Sequence, residues 1–243
     1  MRIAVISDIH GNAFALDTAL ADIQKQGVDS IVCLGDAIQG GAQPAETVQR
    51  LRELACPVVM GNADAWLLTG VETGNEGTSP VQEAVRQWSL AQLSPEDRAF
   101  IAAFAPTVQV PLTAHGTLLC FHGSPASFDE IILPTMPSEV VLPHFQGYDA
   151  LWFTGGHTHL QQVRRVGTGF FFNPGSIGVA YSHDQPEDNL HLDPWAEYAI
   201  LDATEASVGL EFRRVPLDLP ALLELLRQSD RPNVMQLIHE YEG

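Results

Sequence analysis

The sequence predicts an α/β fold in which two β-sheets pack together with helices outside. Three observations carry that expectation. Strand and helix signals alternate through the first sixty or so residues. Strand signals then dominate after Pro106, until two helical segments close the chain. The composition is globular: 243 residues, 45% hydrophobic and 17% charged, enough for one large α/β domain or two small ones.

Arg2–Ser7 is a short, nearly continuous apolar run, the pattern of a strand buried on both faces. A helix follows over about Asn12–Gln26, with Leu16, Leu20 and Ile23 on one face and Gly27 as its C′ stop. Ser30–Leu34 is a second buried strand, ending in Gly35-Asp36. Pro44–Leu54 is a helix with proline near its start. Pro57–Met60 is a third short strand, ending in Gly61-Asn62. This alternation predicts parallel strands joined by right-handed crossovers.

Residues 64–105 read as a mostly helical insert. Ser79-Pro80 and Ser94-Pro95 each pair a capping side chain with a first-turn proline. Trp88, Leu90, Leu93, Phe100, Ile101 and Phe104 supply its apolar face. Strands are expected at Val108–Leu112, Thr117–Phe121, Ala150–Thr154, Phe170–Phe172, Tyr198–Asp202 and Leu210–Val215, and helices at Leu219–Gln228 and Asn233–Tyr241. No repeat, low-complexity tract or long Gly/Ser linker divides the chain, so residues 1–243 read as one domain.

The formal net charge is −18. Such a surface repels duplex nucleic acid and anionic lipid, whose recognition relies on Lys and Arg. No apolar stretch approaches the roughly 20 residues that span a bilayer, and the opening run is broken by Asp8 and His10, unlike a signal peptide. Cys33, Cys56 and Cys120 form no Cys-x-x-Cys pair; they read as reduced cysteines of a cytoplasmic protein. The oligomeric state stays open, a homo-oligomer included.

Five polar clusters lie at or just after predicted strand ends: Asp8-Ile9-His10, Gly35-Asp36, Gly61-Asn62-Ala63-Asp64, His122-Gly123 and Gly156-His157-Thr158-His159. Ligands of open α/β sheets sit outside the carboxyl ends of strands, so five such ends can converge on one crevice. Asp, His and Asn are oxygen and nitrogen donors, the set for Mn, Fe, Zn or Ni and not a soft thiolate site. In a strand, Asp8 and His10 point the same way, as do His157 and His159 if that segment is extended. Singly, Asp8 or Asp36 reads as a helix cap or turn residue, His122 as a satisfied histidine, and Gly61-Asn62 as a turn. Together, in this order, they read as a metal centre.

The clusters resemble the calcineurin-like metallophosphoesterase superfamily, whose order is Asp-x-His, Gly-Asp, Gly-Asn-His-Asp/Glu, His, Gly-His-x-His. The match runs from residue 1 to about 178. His122-Gly123-Ser124-Pro125 and Asn173-Pro174-Gly175-Ser176 are similar to the small bacterial and archaeal phosphodiesterase branch. The resemblance implies a four-layer α/β/β/α sandwich with two mixed sheets and two divalent metal ions (Mn, Fe, Zn or Ni). Asp8, His10, Asp36 and His159 would hold the first ion, and Asp36, Asn62, His122 and His157 the second, with Asp36 shared. Asp36, Asn62 and His122 are the implied catalytic residues, and Asp64 takes a supporting or turn role.

The implied reaction is hydrolysis of a small phosphorylated substrate, a nucleotide-like or cyclic phosphodiester, by a hydroxide bridging the two metals. This sequence departs from the family at Ala63, where many members carry a histidine that acts on the leaving group. That departure favours good leaving groups or strained cyclic diesters over alkyl monoesters. Asn62 and His183 are expected to contact substrate, with His191 a further candidate proton source in the same loop. The run Gly35-Asp36-Ala37-Ile38-Gln39 lacks the arginine of the protein Ser/Thr phosphatases, which ranks phosphoproteins low. The alternatives are a dinucleoside polyphosphate hydrolase, which would need a basic groove for which Arg164 and Arg165 are candidates, and a non-catalytic scaffold on the same fold.

Overall fold

The computed structural model describes residues 1–71, 78–186 and 190–243. Residues 72–77, within the expected helical insert, lie outside it.

The chain opens β1(Arg2–Ile6), α1(Ala13–Ile23), β2(Ser30–Cys33) and α2(Pro44–Leu54). Asn12 caps α1 by accepting from the Ala15 N–H, and Gly27 leaves the following 3₁₀ turn in the left-handed conformation expected of it. Pro57–Met60 is less than a strand: only Val58 and Val59 make bridges, to Cys33 and Ala105. The middle is helical: α3(Asn62–Thr69), α4(Pro80–Gln92) and α5(Pro95–Ala102). Ser79 and Ser94 both close capping boxes, with Gln82 and Asp97 at N3, so the Ser-Pro pairs start helices as the sequence indicates. Then follow β3(Val108–Pro111), β4(Thr117–Cys120), α6(Ser138–Val141), β5(Trp152–Thr154), β6(Gln162–Val166), β7(Gly169–Asn173), β8(Trp195–Ala203), β9(Val208–Pro216), α7(Leu219–Gln228) and α8(Val234–Glu242).

The strands form two mixed sheets, ordered β2-β1-β8-β9 and β3-β4-β5-β7-β6. The β1–β2 pair is parallel, as the alternation predicts, while β8 joins β1 antiparallel. Side-chain alternation explains the layers. Ile3 and Val5 meet Leu118, Cys120 and Phe172 between the sheets. Ala4 and Ile6 face the other way, toward α1, α2, α7 and α8. Leu119, Phe121 and Phe153 cover the outer face of the second sheet together with Val141 and Phe145. That fourth layer is thinner than the sandwich expectation: α6 has four residues and continues as a 3₁₀ turn. Among the described residues no helix is long and apolar enough to cross a membrane, and all three cysteines are free thiols.

Strand β6 is unexpected from the sequence, because Arg164 and Arg165 interrupt its apolar pattern. Arg164 is bonded to the backbone, while Arg165 lies over an aromatic ring. Arg164 donates to the Leu133 and Met136 carbonyls (both 3.1 Å), and the Arg165 guanidinium lies 5.1 Å from the Phe170 ring centre. With its guanidinium directed at backbone carbonyls, Arg164 is not gathered with the other expected substrate-binding residues.

Candidate metal centre

The loops after β1, β2, β4 and β5, with the start of α3, bring all five clusters together. The first correction concerns how they do it. Asp8 and His10 do not ride on an extended strand, since β1 ends at Ile6 and both residues are left-handed, at φ 53° and 49°. Asp36, His157 and His159 are left-handed too, at φ 48°, 68° and 56°. Asp and His are among the residues that tolerate this region, which other side chains avoid. Strain of this kind persists only where surrounding structure enforces it.

The enforcement is visible. Backbone N–H groups of Asp8, His10 and Gly11 donate to the carbonyls of Gly35, Asp36 and Ala37, zipping the first two loops together. The Asp8 carbonyl accepts from Ser176 Oγ (2.8 Å), and Asn173 Nδ2 donates to the Gly156 carbonyl (2.6 Å) and to Thr158 Oγ1. The Asn173–Ser176 segment therefore pins the first loop to the last. Gly35 and Gly61 allow the second and third loops to touch: a Cβ at Gly35 would lie 2.6 Å from the Gly61 nitrogen, and Gly35 is itself left-handed at φ 96°.

Two groups of side chains result. Asp8, His10 and His159 present ligand atoms within 4.8 Å of one another, and so do Asp36, His122 and His157. Asn62 joins the second group, its Oδ1 3.0 Å from His122 Nε2. Asp36 connects the two groups, with Oδ2 3.3 Å from His122 Nε2 and 3.9 Å from His10 Nε2.

The donor chemistry fits a cation. His10, His122 and His159 direct Nδ1 at the carbonyls of Gln39, Leu34 and Val179, at 2.8, 2.8 and 2.7 Å. Carbonyls only accept, so Nδ1 carries the proton and Nε2 is the atom offered to the cage. His10 Nε2 and His159 Nε2 stand 3.1 Å apart, so a proton or metal ion must lie between their lone pairs. Asp8 Oδ1 is fully buried without a hydrogen-bond partner, 3.3 Å from His159 Nε2. An orphaned buried carboxylate oxygen is costly unless a cation meets it.

The electrostatics agree. Burial alone would depress the His122 pKa, yet Asp36 and Asp8 outweigh it and push it up to about 10. Burial would likewise depress His159, but Asp8 overcomes it and the net shift is upward. Burial would raise Asp36, but His122 holds it well below the usual carboxylate range. His10 and His157 shift the other way, downward, chiefly through burial. Protons are therefore favoured on His122 and His159 and disfavoured on His10 and His157, and bound metal ions would replace those protons.

Asp64 supports the cage from behind. It is fully buried, and its carboxylate accepts from the N–H groups of Ala37 (3.1 Å) and Ile38 (3.0 Å), fixing the turn after Asp36. Burial, and next the charge of Asp36, raise its pKa to about 7. We expect Asp64→Asn to destabilise the metal-stripped protein by about 1–3 kcal/mol in urea denaturation, because the amide nitrogen that replaces Oδ2 would face the Ala37 N–H donor to donor.

His183 sits at the rim. Its Nε2 donates to the Thr158 carbonyl (2.6 Å), its ring stacks on Tyr181 at 4.8 Å, and Tyr181 meets the His159 ring edge-on at 5.6 Å. Sequence reading missed the carbonyl partners of the histidines, because backbone groups leave no residue signature. It assigned no role to Asn173 and Ser176, although their motif was visible.

Comparison with known proteins agrees with this geometry. Residues 1–196 match the model of the calcineurin-like phosphoesterase superfamily domain. Protein MJ0912 of Methanocaldococcus jannaschii is 28% identical over 95% of this chain and 93% of its own length. The phosphodiesterase YfcE of Escherichia coli K12 is 28% identical over 74% of this chain and 80% of its own. A metallophosphoesterase from Sphaerobacter thermophilus superposes with a TM-score of 0.73 at 27% identity, covering 99% of both chains. Protein PH1004 from Pyrococcus horikoshii shares the fold at a TM-score of 0.82 and 19% identity. The chain belongs to the calcineurin-like phosphoesterase superfamily and is a hydrolase of phosphate esters.

Proposed function

We propose that the protein is a phosphodiesterase that works with two divalent metal ions. Asp8, His10, Asp36 and His159 hold one ion; Asp36, Asn62, His122 and His157 hold the other. The observation that carries this reading is the position of the Asp36 carboxylate between two groups of aimed Nε2 atoms. When bound, the dications would neutralise phosphoryl oxygens and lower the pKa of an attacking water toward neutrality, so no protein nucleophile would be needed. Asp36 carries the negative charge that offsets repulsion between the ions. Asn62 contributes a neutral oxygen and stands at the substrate face beside His122.

Ala63 shapes the specificity. Its N–H donates to Asp36 Oδ1 (2.8 Å), but its methyl group offers no proton to a leaving alcohol. His183 packs against the cage through Tyr181, and we assign it the role of meeting the substrate there. Without a proton donor at position 63, good leaving groups are favoured, since general-acid help is worth roughly 10²–10⁴-fold. Of the two arginines that a polyphosphate groove would use, Arg164 is tied to the Leu133 and Met136 carbonyls, and a scaffold has no need of the full ligand set.

The test is hydrolysis by metal-stripped protein restored with Mn²⁺. Bis-p-nitrophenyl phosphate should be cleaved faster than p-nitrophenyl phosphate, and neither should be cleaved before metal is restored. Equal or faster cleavage of the monoester would retire the diesterase assignment.

A further inference from the structure

A cavity of about 210 Å³ adjoins the metal centre on the side of the C-terminal helices. His10 and His159 form one wall, and Leu192, Leu222, Leu226 and Leu237 form much of the rest. We propose that this cavity receives an apolar, aryl-sized ester arm of the substrate, the group that stays on phosphorus while the other alcohol leaves. The proposal deepens the phosphodiesterase reading above and rests on it.

Three features of the cavity support this. The first is position: His10 and His159 belong to both the cage and the cavity lining, so the cavity lies directly beside the place where a phosphate would be held. The second is chemistry. Beside the histidines its lining holds five larger polar side chains, and four of them bond to the backbone. Asn12 donates to the Gly178 carbonyl and accepts from the Ala15 N–H, Gln43 accepts from the Phe14 N–H, and the fifth, Glu240, accepts from Gln236 (3.0 Å). Tyr241 donates to the Gly178 carbonyl (3.0 Å), while Arg231 donates to the Gly40 carbonyl (2.6 Å) and to that of Pro232 (2.9 Å). What remains for a ligand is mostly leucine. A nucleobase needs partners for its polar edge, and a site poor in them favours an apolar group. The third is size: an apolar cavity of about 150 Å³ holds benzene, so this one holds a somewhat larger ring system.

Apart from His10 and His159, the cavity is built from parts with no metal-binding task. Leu222, Leu225 and Leu226 come from α7 and Leu237 from α8. Arg231, from the link between those helices, also fastens them to the loop at Gly40, where a Cβ would lie 3.5 Å from the His10 side chain. The C-terminal helices thereby act as a specificity wall for the metal centre.

The experiment compares three diesters with the same p-nitrophenol leaving group and a different retained arm: ethyl, 2-naphthyl and thymidyl. Each is tested with Mn²⁺-restored full-length protein and with Leu225→Trp, which fills the cavity. Leu237→Phe serves if Leu225→Trp does not melt like the parent. Apolar complementarity of this kind is worth about 10–200-fold in kcat/KM. The naphthyl ester should exceed the ethyl ester at least tenfold, and the filled variant should bring that ratio near one. Equal rates for the ethyl and naphthyl esters, or a preference for the thymidyl arm, would overturn the proposal while leaving the phosphodiesterase reading intact. Failure to cleave any ester with metal bound would instead sink that reading. The cavity would then be judged by 2-naphthol fluorescence on metal-stripped protein: saturable binding weakened tenfold or more by Leu225→Trp retains an apolar site, and no binding removes it.

Discussion

Asp36→Asn should cost at least about 10³-fold in diester hydrolysis and reduce the bound metal below that of the parent protein. The change is nearly isosteric, and the amide oxygen of the new side chain can still accept from the Ala63 N–H, so the fold should survive. What disappears is the negative charge between the two ligand groups. Without it two bound dications would repel each other with no negative charge shared between them, and the outer ligands would not compensate. Several kcal/mol of lost transition-state stabilisation corresponds to about 10³-fold in rate. Metal content by mass spectrometry and kcat/KM on bis-p-nitrophenyl phosphate would be measured together. A variant that keeps its full metal content and more than a tenth of its activity would remove Asp36 from the bridging position.

Gly61→Ala should lower activity about 10²-fold although no ligand is replaced. Gly61 has an extended backbone, so alanine meets no conformational penalty there. The obstacle is contact: a Cβ would fall within 3 Å of both the Asp36 backbone nitrogen and its carboxylate. Asp36 must move, and a displacement near 1 Å at a reacting centre can cost about 10²-fold. Gly27→Ala is the control. Gly27 is left-handed with nothing within 4 Å of a new Cβ. That variant should lose about 1–2 kcal/mol of stability through its backbone alone, with unchanged activity when folded. If both variants lose activity only in proportion to their stability, the steric account of Gly61 fails.

These two variants also mark what could be read from the sequence. The candidate ligands were legible because few side chains suit such a centre, and because strand ends bring distant residues to one crevice. Asp8, His10, Asp36, Asn62, His122, His157 and His159 are all gathered in one cage. The backbone that aims them was not legible. Asp8, His10, Asp36, His157 and His159 are left-handed, where an extended strand or turn could equally have been written for the same letters. Helix starts were clear wherever Ser-Pro supplied both cap and first turn.

Strand β6 was hidden because its arginines satisfy neighbouring carbonyls and an aromatic face, so their polarity says nothing about exposure to substrate. The thin fourth layer went unseen because so short a helix as α6 carries no periodicity. The cavity was invisible for a different reason. Leu222 and Leu237 fit an amphipathic pattern whether they fill a core or line a void, and only the packed structure distinguishes the two.

The most direct test of the account is the number of metal ions the protein holds. Chelator-stripped protein would be dialysed against Mn²⁺ at several concentrations and its bound metal measured per chain, with Asp36→Asn in parallel. Two ions per parent chain are expected at saturation, and fewer in the variant. A plateau at one ion, or two ions in both proteins, would contradict a centre built on a shared Asp36.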